Sequence, residues 1–135
     1  MAPNNGLANF KRRLANIPKS VRRAAGAALE ANAADLVRTQ RALAPRDDGD
    51  LQASIRWSRD GEIAVVVEAG GETTTRQAKG GAYEYDYALA QEFGTKEQPG
   101  QSFFWPGYRL MRKKMNARTK RAISKSVKEA YASGK

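Results

Sequence analysis

One long helix between two prolines constrains the fold of this chain most strongly. Pro18 fits the first turn of a helix, where its missing N–H costs nothing, and Pro45 disfavours the α conformation at Ala44. The interval predicts a helix of about 26 residues, roughly 39 Å long. Asn32 interrupts its apolar stripe, which consists of Val21, Ala25, Leu29, Leu36 and Leu43. We expect this helix to be the spine of the domain.

Length and composition indicate a single domain with a thin core. The chain has 135 residues, which suits one domain with a modest core. Hydrophobic residues make up 41%, but many are alanine, which adds little buried area. We therefore expect residues 1–135 to form one unit, with a core over about 18–115 and a basic helical extension over about 116–135.

Missing residue types exclude several kinds of chemistry. The sequence has no cysteine and no histidine, which excludes disulfides, thiolate nucleophiles, imidazole bases and the common zinc sites. No run of about 18 apolar residues could span a bilayer, and the N-terminus lacks the pattern of an export signal. We expect a soluble protein that has no membrane partner.

Short elements flank the long helix. Apolar residues at helical spacing predict an N-terminal helix over about 5–16. Residues 47–54 are interpreted as a structured turn, in which Gly49 takes a positive φ and Asp50 caps a short helical turn.

Strand patterns follow in the middle of the chain. Residues 55–58 and 62–68 predict two strands, which Asp60-Gly61 joins in a short hairpin. Residues 70–82 have paired glycines at both ends and little to bury, which predicts a projecting loop that either orders against a partner or is simply flexible. Tyr83 and Tyr85 alternate with acids, as in another strand.

The last third of the chain predicts two more helices. Residues 87–93 form a short helix that Gly94 ends. We expect the core to gain large aromatic area from Tyr87, Phe93, Phe103 and Phe104. An aromatic cluster then precedes a basic helix over about 106–132. Its weak apolar stripe consists of Leu110, Met111, Met115, Ala122, Ile123, Val127, Ala130 and Tyr131.

Charge is segregated along the sequence. Residues 1–45 carry eight Lys or Arg against two acids, a net +6; residues 46–100 carry six against eleven, a net −5; and residues 101–135 carry ten against one, a net +9. Basic ends suit contact with nucleic acid, whereas segregated charges also suit subunits that pack acidic face against basic face. No helix-turn-helix or other readout motif accompanies the basic ends, so both interpretations stay open.

Two acidic groupings resemble functional sites only superficially. Asp47-Asp48-Gly49-Asp50 places carboxylates around a glycine, but the terminal glutamate and alternating ligands of a calcium loop are missing. Asp86 and Glu92 could pair as general acid and base, yet no nucleophile or phosphate-binding loop accompanies them. We therefore predict no catalytic, cofactor-binding or metal-binding residues and no enzymatic activity.

Three ordered blocks carry a resemblance that covers roughly residues 25–115. They are Ala44-Pro45 with Asp48-Gly49-Asp50-Leu51 and Ser54-Ile55, then Tyr87-Ala88 with Glu92-Phe93-Gly94-Thr95, then Phe103 to Pro106. In this order they resemble the gene-product-ten-like family of head-to-tail joining or tail-completion proteins of long-tailed bacteriophages. The minor tail protein Z of phage lambda looks like a relative. Two positions depart from the family pattern: Asp48 stands where a threonine is more usual, and Gln101-Ser102 stands where a proline is common.

The elements together predict an α+β domain. A long N-terminal helix packs on a small antiparallel β-sheet of three or four strands, with a projecting loop and a long basic C-terminal helix. The resemblance implies a structural protein of a phage or a phage-like particle such as a gene transfer agent. It implies a hexameric ring around the DNA channel in the neck of the virion, assembled in the bacterial host cytoplasm. The implied partners are other copies of the chain, the head connector or stopper, and the tail terminator or tail tube. A basic, non-specific nucleic-acid-binding protein is the alternative.

Two sets of candidate site residues follow. Candidates for the subunit or ring interface are Asp47, Asp48, Asp50, Arg76, Lys79, Tyr83, Tyr85, Glu92, Phe103, Phe104 and Trp105. Candidates for DNA-facing residues are Arg12, Arg13, Arg22, Arg23, Arg112, Lys113, Lys114, Arg118, Lys120 and Arg121.

Overall fold

Two long helices frame the structure, a computed structural model that describes residues 6–9, 12, 17–46, 49–78 and 80–132. They are α1 (Lys19–Leu43) and α4 (Phe104–Ala132). Between them follow α2 (Asp50–Ser54), β1 (Arg56–Arg59), β2 (Val65–Glu68), a 3-10 helix (Glu72–Thr74), β3 (Thr75–Gln77), β4 (Glu84–Asp86) and α3 (Tyr87–Phe93). β1 pairs with β2 and β3 with β4, both antiparallel. The predicted α+β class is confirmed, with the strands arranged as two separate hairpins.

Helix α1 begins and ends at the two prolines, as expected. Pro18 is its N-cap, and the carbonyl oxygen of Pro18 accepts hydrogen bonds from the first turn. The expected burial of Leu43 is wrong, since its side chain is 41% exposed. The reason is that α4 begins beside Gln40 and does not extend over the last turn of α1. Of the predicted N-terminal helix, residues 6–9 and 12 are helical, and the rest lies outside the described residues.

A cluster of polar side chains, which we call the polar clasp, joins α1 to α4. It consists of Asn32, Asp35, Arg118 and Thr119. The amide nitrogen of Asn32 donates to the Thr119 hydroxyl at 2.9 Å and to the Met115 carbonyl oxygen at 3.2 Å. Arg118 donates to the Asn32 amide oxygen at 3.1 Å and to the Asp35 carboxylate at 2.7 Å. Asn32 therefore does not merely interrupt the apolar stripe, because its hydrogen bonds fix the register of the two helices.

A glycine allows the two helices to cross closely near the start of α4. A Cβ atom placed on Gly107 would lie 2.7 Å from the Cγ atom of Gln40. The Gln40 side chain is fully buried, and its amide nitrogen donates to the Phe104 carbonyl oxygen at 3.0 Å. Further along α4 the predicted apolar stripe is partly wrong. Three of its members are exposed, because they face away from α1: Leu110, Ile123 and Tyr131.

The first hairpin, β1–β2, packs on α1. Its strands align Trp57 with Val67, which confirms the predicted pairing. The connection is longer than the expected Asp60-Gly61 turn: it closes with the Asp60 N–H donating to the Ala64 carbonyl oxygen at 2.9 Å. A Cβ atom on Gly26 would lie 2.6 Å from the Glu62 carbonyl oxygen, so this glycine lets the connection approach α1.

The core lies where α1, α2, α3 and the start of α4 meet. It consists of Val37, Ala44, Leu51, Ile55, Ala88 and Phe103, with Trp57, Val67, Ala69, Tyr87 and Phe104 packed around it. Phe93 was expected in this core and is instead 68% exposed. It projects from the outer side of α3, whose inner side buries Ala88 and Glu92.

For the segment after α1, one sequence prediction is confirmed and another is wrong. Gly49 has a φ of 85°, which confirms the predicted positive φ. The predicted cap by Asp50 is wrong, since Gly49 is the N-cap of α2 and Asp50 is the first residue of the helix. The Asp50 carboxylate instead accepts a hydrogen bond from Arg76 at 2.9 Å.

The polar clasp predicts a stability that depends on acid pH. The hydrogen bond from Arg118 lowers the pKa of Asp35 from its ordinary value of 3.8, and Arg38 adds to the effect. A lowered pKa means that the carboxylate stabilises the fold fully above pH 3.8 and progressively less as the pH falls below it. Urea unfolding should show D35N less stable than wild type at neutral pH, with the difference shrinking in acid.

R118M should give the same pH dependence, and the double variant should cost less than the sum of the two single variants, because each removes the same hydrogen bond. A difference between wild type and D35N that persists unchanged into acid would contradict this account of the clasp.

Candidate assembly surface

Asp86 organises the segment that was expected to be a projecting loop. Its carboxylate accepts hydrogen bonds from the Thr74 hydroxyl at 2.6 Å, the Gly71 N–H at 2.9 Å and the Ala88 N–H at 2.9 Å. Thr74 is fully buried, and residues 72–77 form the 3-10 helix and β3, so this part of the segment is ordered within the subunit rather than forming a structureless loop. The carboxylate also caps α3. An acid immediately before a helical pattern is the sequence signal that identifies such a cap.

The second hairpin, β3–β4, presents two tyrosines to solvent. Tyr83 is 66% exposed and Tyr85 41%, and their ring centroids are 6.5 Å apart in an edge-to-face arrangement. Two other interface candidates on this side form contacts within the subunit. Asp50 and Arg76 pair with each other, and the Arg76 guanidinium lies 4.9 Å from the Tyr87 ring centroid. The candidates Asp47, Asp48 and Lys79 lie outside the described residues.

Glu92 caps the C-terminal helix from inside the subunit. Its carboxylate accepts hydrogen bonds from the backbone N–H groups of Phe103, Phe104 and Trp105 at 2.8, 2.9 and 3.0 Å. A carboxylate there satisfies N–H groups at the helix start and complements the helix dipole. Glu92 is only 7% exposed and Phe103 1%, so both interface candidates lie in the interior and position the surface around them. The sequence gives no sign of this contact, because it joins residues eleven to thirteen positions apart.

The turn after Glu92 depends on two glycines that touch. Gly94 has a φ of 80°, and its N–H donates to the Ala90 carbonyl oxygen at the end of α3. A Cβ atom on Gly94 would lie 2.7 Å from the backbone nitrogen of Gly100. The Thr95 N–H closes the loop by donating to the Gln98 carbonyl oxygen at 2.8 Å. The segment from Glu92 to Thr95 therefore brings the chain back to the start of α4.

An apolar patch surrounds the start of α4. Leu89 and Phe93, one helical turn apart on α3, are 64% and 68% exposed, and Trp105 is 47% exposed. They line a cavity of about 290 Å³ together with Phe103 and Phe104. Clusters of large exposed apolar side chains are typical of protein interfaces. This patch brings the aromatic candidates Phe104 and Trp105 together.

A larger apolar groove lies on the other side of Phe104 and Trp105, between α1, β2 and α4. Its volume is about 560 Å³. Apolar side chains make up most of its walls, with Lys120 and Asn116 from α4 also lining it. We call this the α1–α4 groove.

Some of the candidate DNA-facing residues contact other described side chains, and others are exposed without an ion pair. Arg118 belongs to the polar clasp, Arg22 lies 3.9 Å from the Glu62 carboxylate, and Arg12 donates to the Asn9 side chain at 2.7 Å. Arg23 is exposed, and Arg13 lies outside the described residues. Eight cations of α4 are exposed and form no ion pair with another described residue, and five of them are candidates: Arg112, Lys113, Lys114, Lys120 and Arg121. We call these five the basic face of α4.

Metal-binding clusters and membrane-spanning helices are absent from the described ranges. Within them, no group of three or more potential ligand side chains is placed to hold a metal ion. No helix in that part of the chain combines the length and hydropathy needed to cross a bilayer.

The cap on α4 predicts a large effect of one carboxylate on stability. E92A should lower the free energy of unfolding by about 3 kcal/mol, because three partly or fully buried N–H groups lose a charged acceptor. E92Q should cost less, since one amide oxygen can still accept. The matched control is E97A, an exposed glutamate in the following loop, which should stay within about 0.5 kcal/mol of wild type. Equal urea midpoints for E92A and E97A would contradict the assignment.

Comparison with known proteins agrees with a structural role. A family model described as "Bacteriophage HK97-gp10, putative tail-component" matches residues 8–94, which is more than half of the chain and covers α1, both hairpins and α3. No curated protein and no solved structure matches the chain. The chain therefore belongs to the HK97-gp10-like family of bacteriophage tail components.

Proposed function

We propose that this tail component forms a closed ring, hexameric as its family resemblance implies, at the junction of head and tail. The ring joins the head connector or stopper to the tail terminator or tail tube and leaves a channel for DNA. A relation to the lambda minor tail protein Z, and an origin in a phage or a gene transfer agent, belong to the same proposal. Its role is mechanical, and no catalytic step is part of it.

The observation that carries the proposal is the segregation of charge on the folded subunit. The basic face of α4 presents five exposed cations on one element. Residues 46–100 carry a net −5 and present the exposed acids Glu72, Glu84 and Glu97, which form no ion pair with any described residue, whereas Arg76 of the same segment pairs with Asp50. Complementary surfaces at different places on one chain favour heterologous contacts between copies, which close into a ring when the rotation permits.

The apolar patch supports the same proposal. Leu89, Phe93 and Trp105 are large and exposed, and the caps formed by Asp86 and Glu92 hold them in place. Rigid aromatic side chains contribute binding area with little loss of conformational freedom. The patch therefore suits a permanent contact with a neighbouring subunit or with an adjoining ring.

Deletion of the gene tests the joining role. Particles from the deletion strain should appear in electron micrographs as DNA-filled heads and separate tails, and added purified protein should restore joined particles. A variant that reverses four charges of α4 (K113E, K114E, K120E and R121E) should fail to restore joining. The matched variant that keeps the charges (K113R, K114R and K120R) should succeed. Joined particles in the deletion strain would exclude the proposed function.

The alternative, non-specific binding of nucleic acid, is favoured by the unpaired cations on the basic face of α4. Six or more phosphate contacts would weaken DNA binding by roughly a thousandfold or more between 50 and 200 mM salt. For a joining protein we expect weak DNA retention throughout this range, alongside association with a tail or connector protein. Tight, steeply salt-dependent DNA binding without such association would favour the alternative.

A further inference from the structure

Gln40 lines the α1–α4 groove and carries an acceptor that no described residue pairs with. Its side chain is 0% exposed, and its amide nitrogen is used by the Phe104 carbonyl oxygen. Its amide oxygen has no hydrogen-bond partner among the described residues. Buried polar atoms without a partner are rare, because they lose water and gain nothing in return. A buried acceptor that lines an open groove therefore indicates a donor that arrives from outside.

The groove also specifies what else its occupant must bring. Its volume of about 560 Å³ lies in the range of pockets that hold large ligands or anchoring side chains. Its walls are mostly apolar and include Leu29, Leu36, Val67, Phe104, Tyr108 and Met115. Lys120 of the basic face of α4 also lines it. The occupant should combine apolar bulk, one hydrogen-bond donor and negative charge.

The second hairpin of the same protein has these three properties. Tyr83 immediately precedes β4 and Tyr85 lies within it, and their rings are both exposed with centroids 6.5 Å apart. A tyrosine ring supplies apolar area, and its hydroxyl can donate a hydrogen bond. Glu84 between them and Glu72 at the base of the hairpin add negative charge. Neither tyrosine lines the groove of its own subunit.

We propose that the second hairpin of one copy docks in the α1–α4 groove of the next copy, with a tyrosine hydroxyl donating to the amide oxygen of Gln40. The inference rests on the proposed ring and names its subunit contact. The hairpin and the groove are different surfaces of one chain, so every copy can donate one hairpin and accept another. Such a heterologous contact repeats around a closed ring, so that no hairpin and no groove is left unoccupied.

The basic N-terminal segment is a weaker candidate for this groove. It contains apolar residues at helical spacing, but Lys11, Arg12 and Arg13 would bring like charge towards Lys120 and its neighbours. Like charges brought together at an interface oppose binding. The second hairpin also contains Arg76 and Lys79, but Arg76 pairs with Asp50, and Glu72 and Glu84 form no ion pair with any described residue.

A photo-crosslink identifies the occupant directly. Benzoylphenylalanine replaces Tyr83 or Tyr85 in the full chain, and crosslinked peptides are identified by mass spectrometry in the purified protein and in joined particles. The inference predicts intermolecular crosslinks to peptides of residues 29–40 or 104–120 of a second copy. The control places the same probe at Tyr131, which is 81% exposed near the end of α4. Crosslinks from Tyr83 and Tyr85 to another virion protein, to other parts of this chain, or to nothing would overturn the inference.

A double-mutant cycle tests the hydrogen bond to Gln40. The Y83F/Y85F variant keeps the apolar rings and loses both hydroxyls, so self-association measured by sedimentation should weaken by about tenfold. In a Q40M background the same change should have little further effect, because the acceptor is already absent. Comparing within each background removes any effect of Q40M on folding. An equal loss in both backgrounds, or no self-association of the wild type, would contradict the contact.

Different results would exclude the neck role and the contact between the second hairpin and the α1–α4 groove. Joined particles in the deletion strain would exclude the neck role, whatever the crosslinks show. Separate heads and tails in the deletion strain, together with crosslinks that map away from the α1–α4 groove, would keep the neck role and exclude this contact.

Discussion

The contact between α1 and α4 is the interaction on which the rest of the structure depends. Alanine and glycine let the two helices approach, and the polar clasp at Asn32, Asp35 and Arg118 then fixes which turn of α4 meets which turn of α1. If α4 moved along α1 by one helical turn, all the hydrogen bonds of the polar clasp would be lost at once. The position of the basic face, the walls of the α1–α4 groove and the setting of Trp105 all follow from this register. Because α1 also supports the first hairpin, a small core can position surface features at both ends of the molecule.

Two carboxylates connect this frame to the exposed aromatic side chains. Asp86 joins the second hairpin to α3, and Glu92 joins α3 to the first turn of α4. Each carboxylate replaces water at several backbone N–H groups, so the segments that carry exposed aromatic residues are held by hydrogen bonds. An interface built on such fixed elements loses little conformational freedom when it forms. This arrangement suits the assembly role proposed for this tail component.

Helices and turns that depend on the backbone preferences of nearby residues could be predicted from the sequence. Contacts between residues far apart in the chain could not. Pro18, Pro45 and Gly94 mark the ends of helices through their own backbone preferences, so α1 and α3 were predicted almost to the residue. The burial of Glu92, Gln40 and Thr74 could not be predicted, because their partners lie elsewhere in the chain. Leu43 and Phe93 were expected to be buried on the basis of hydrophobicity, yet no described element covers them. Among the predicted site residues, the exposed tyrosines and the cations of α4 lie on the surface as an interface requires, while Phe103 and Glu92 support that surface from within.

Electron cryomicroscopy of intact particles tests the central claim most directly. The account predicts ring density between the head connector and the tail tube, into which copies of this fold dock around the DNA channel, with each second hairpin against its neighbour. Density for this fold at another part of the virion, or particles whose neck contains no such ring, would contradict it.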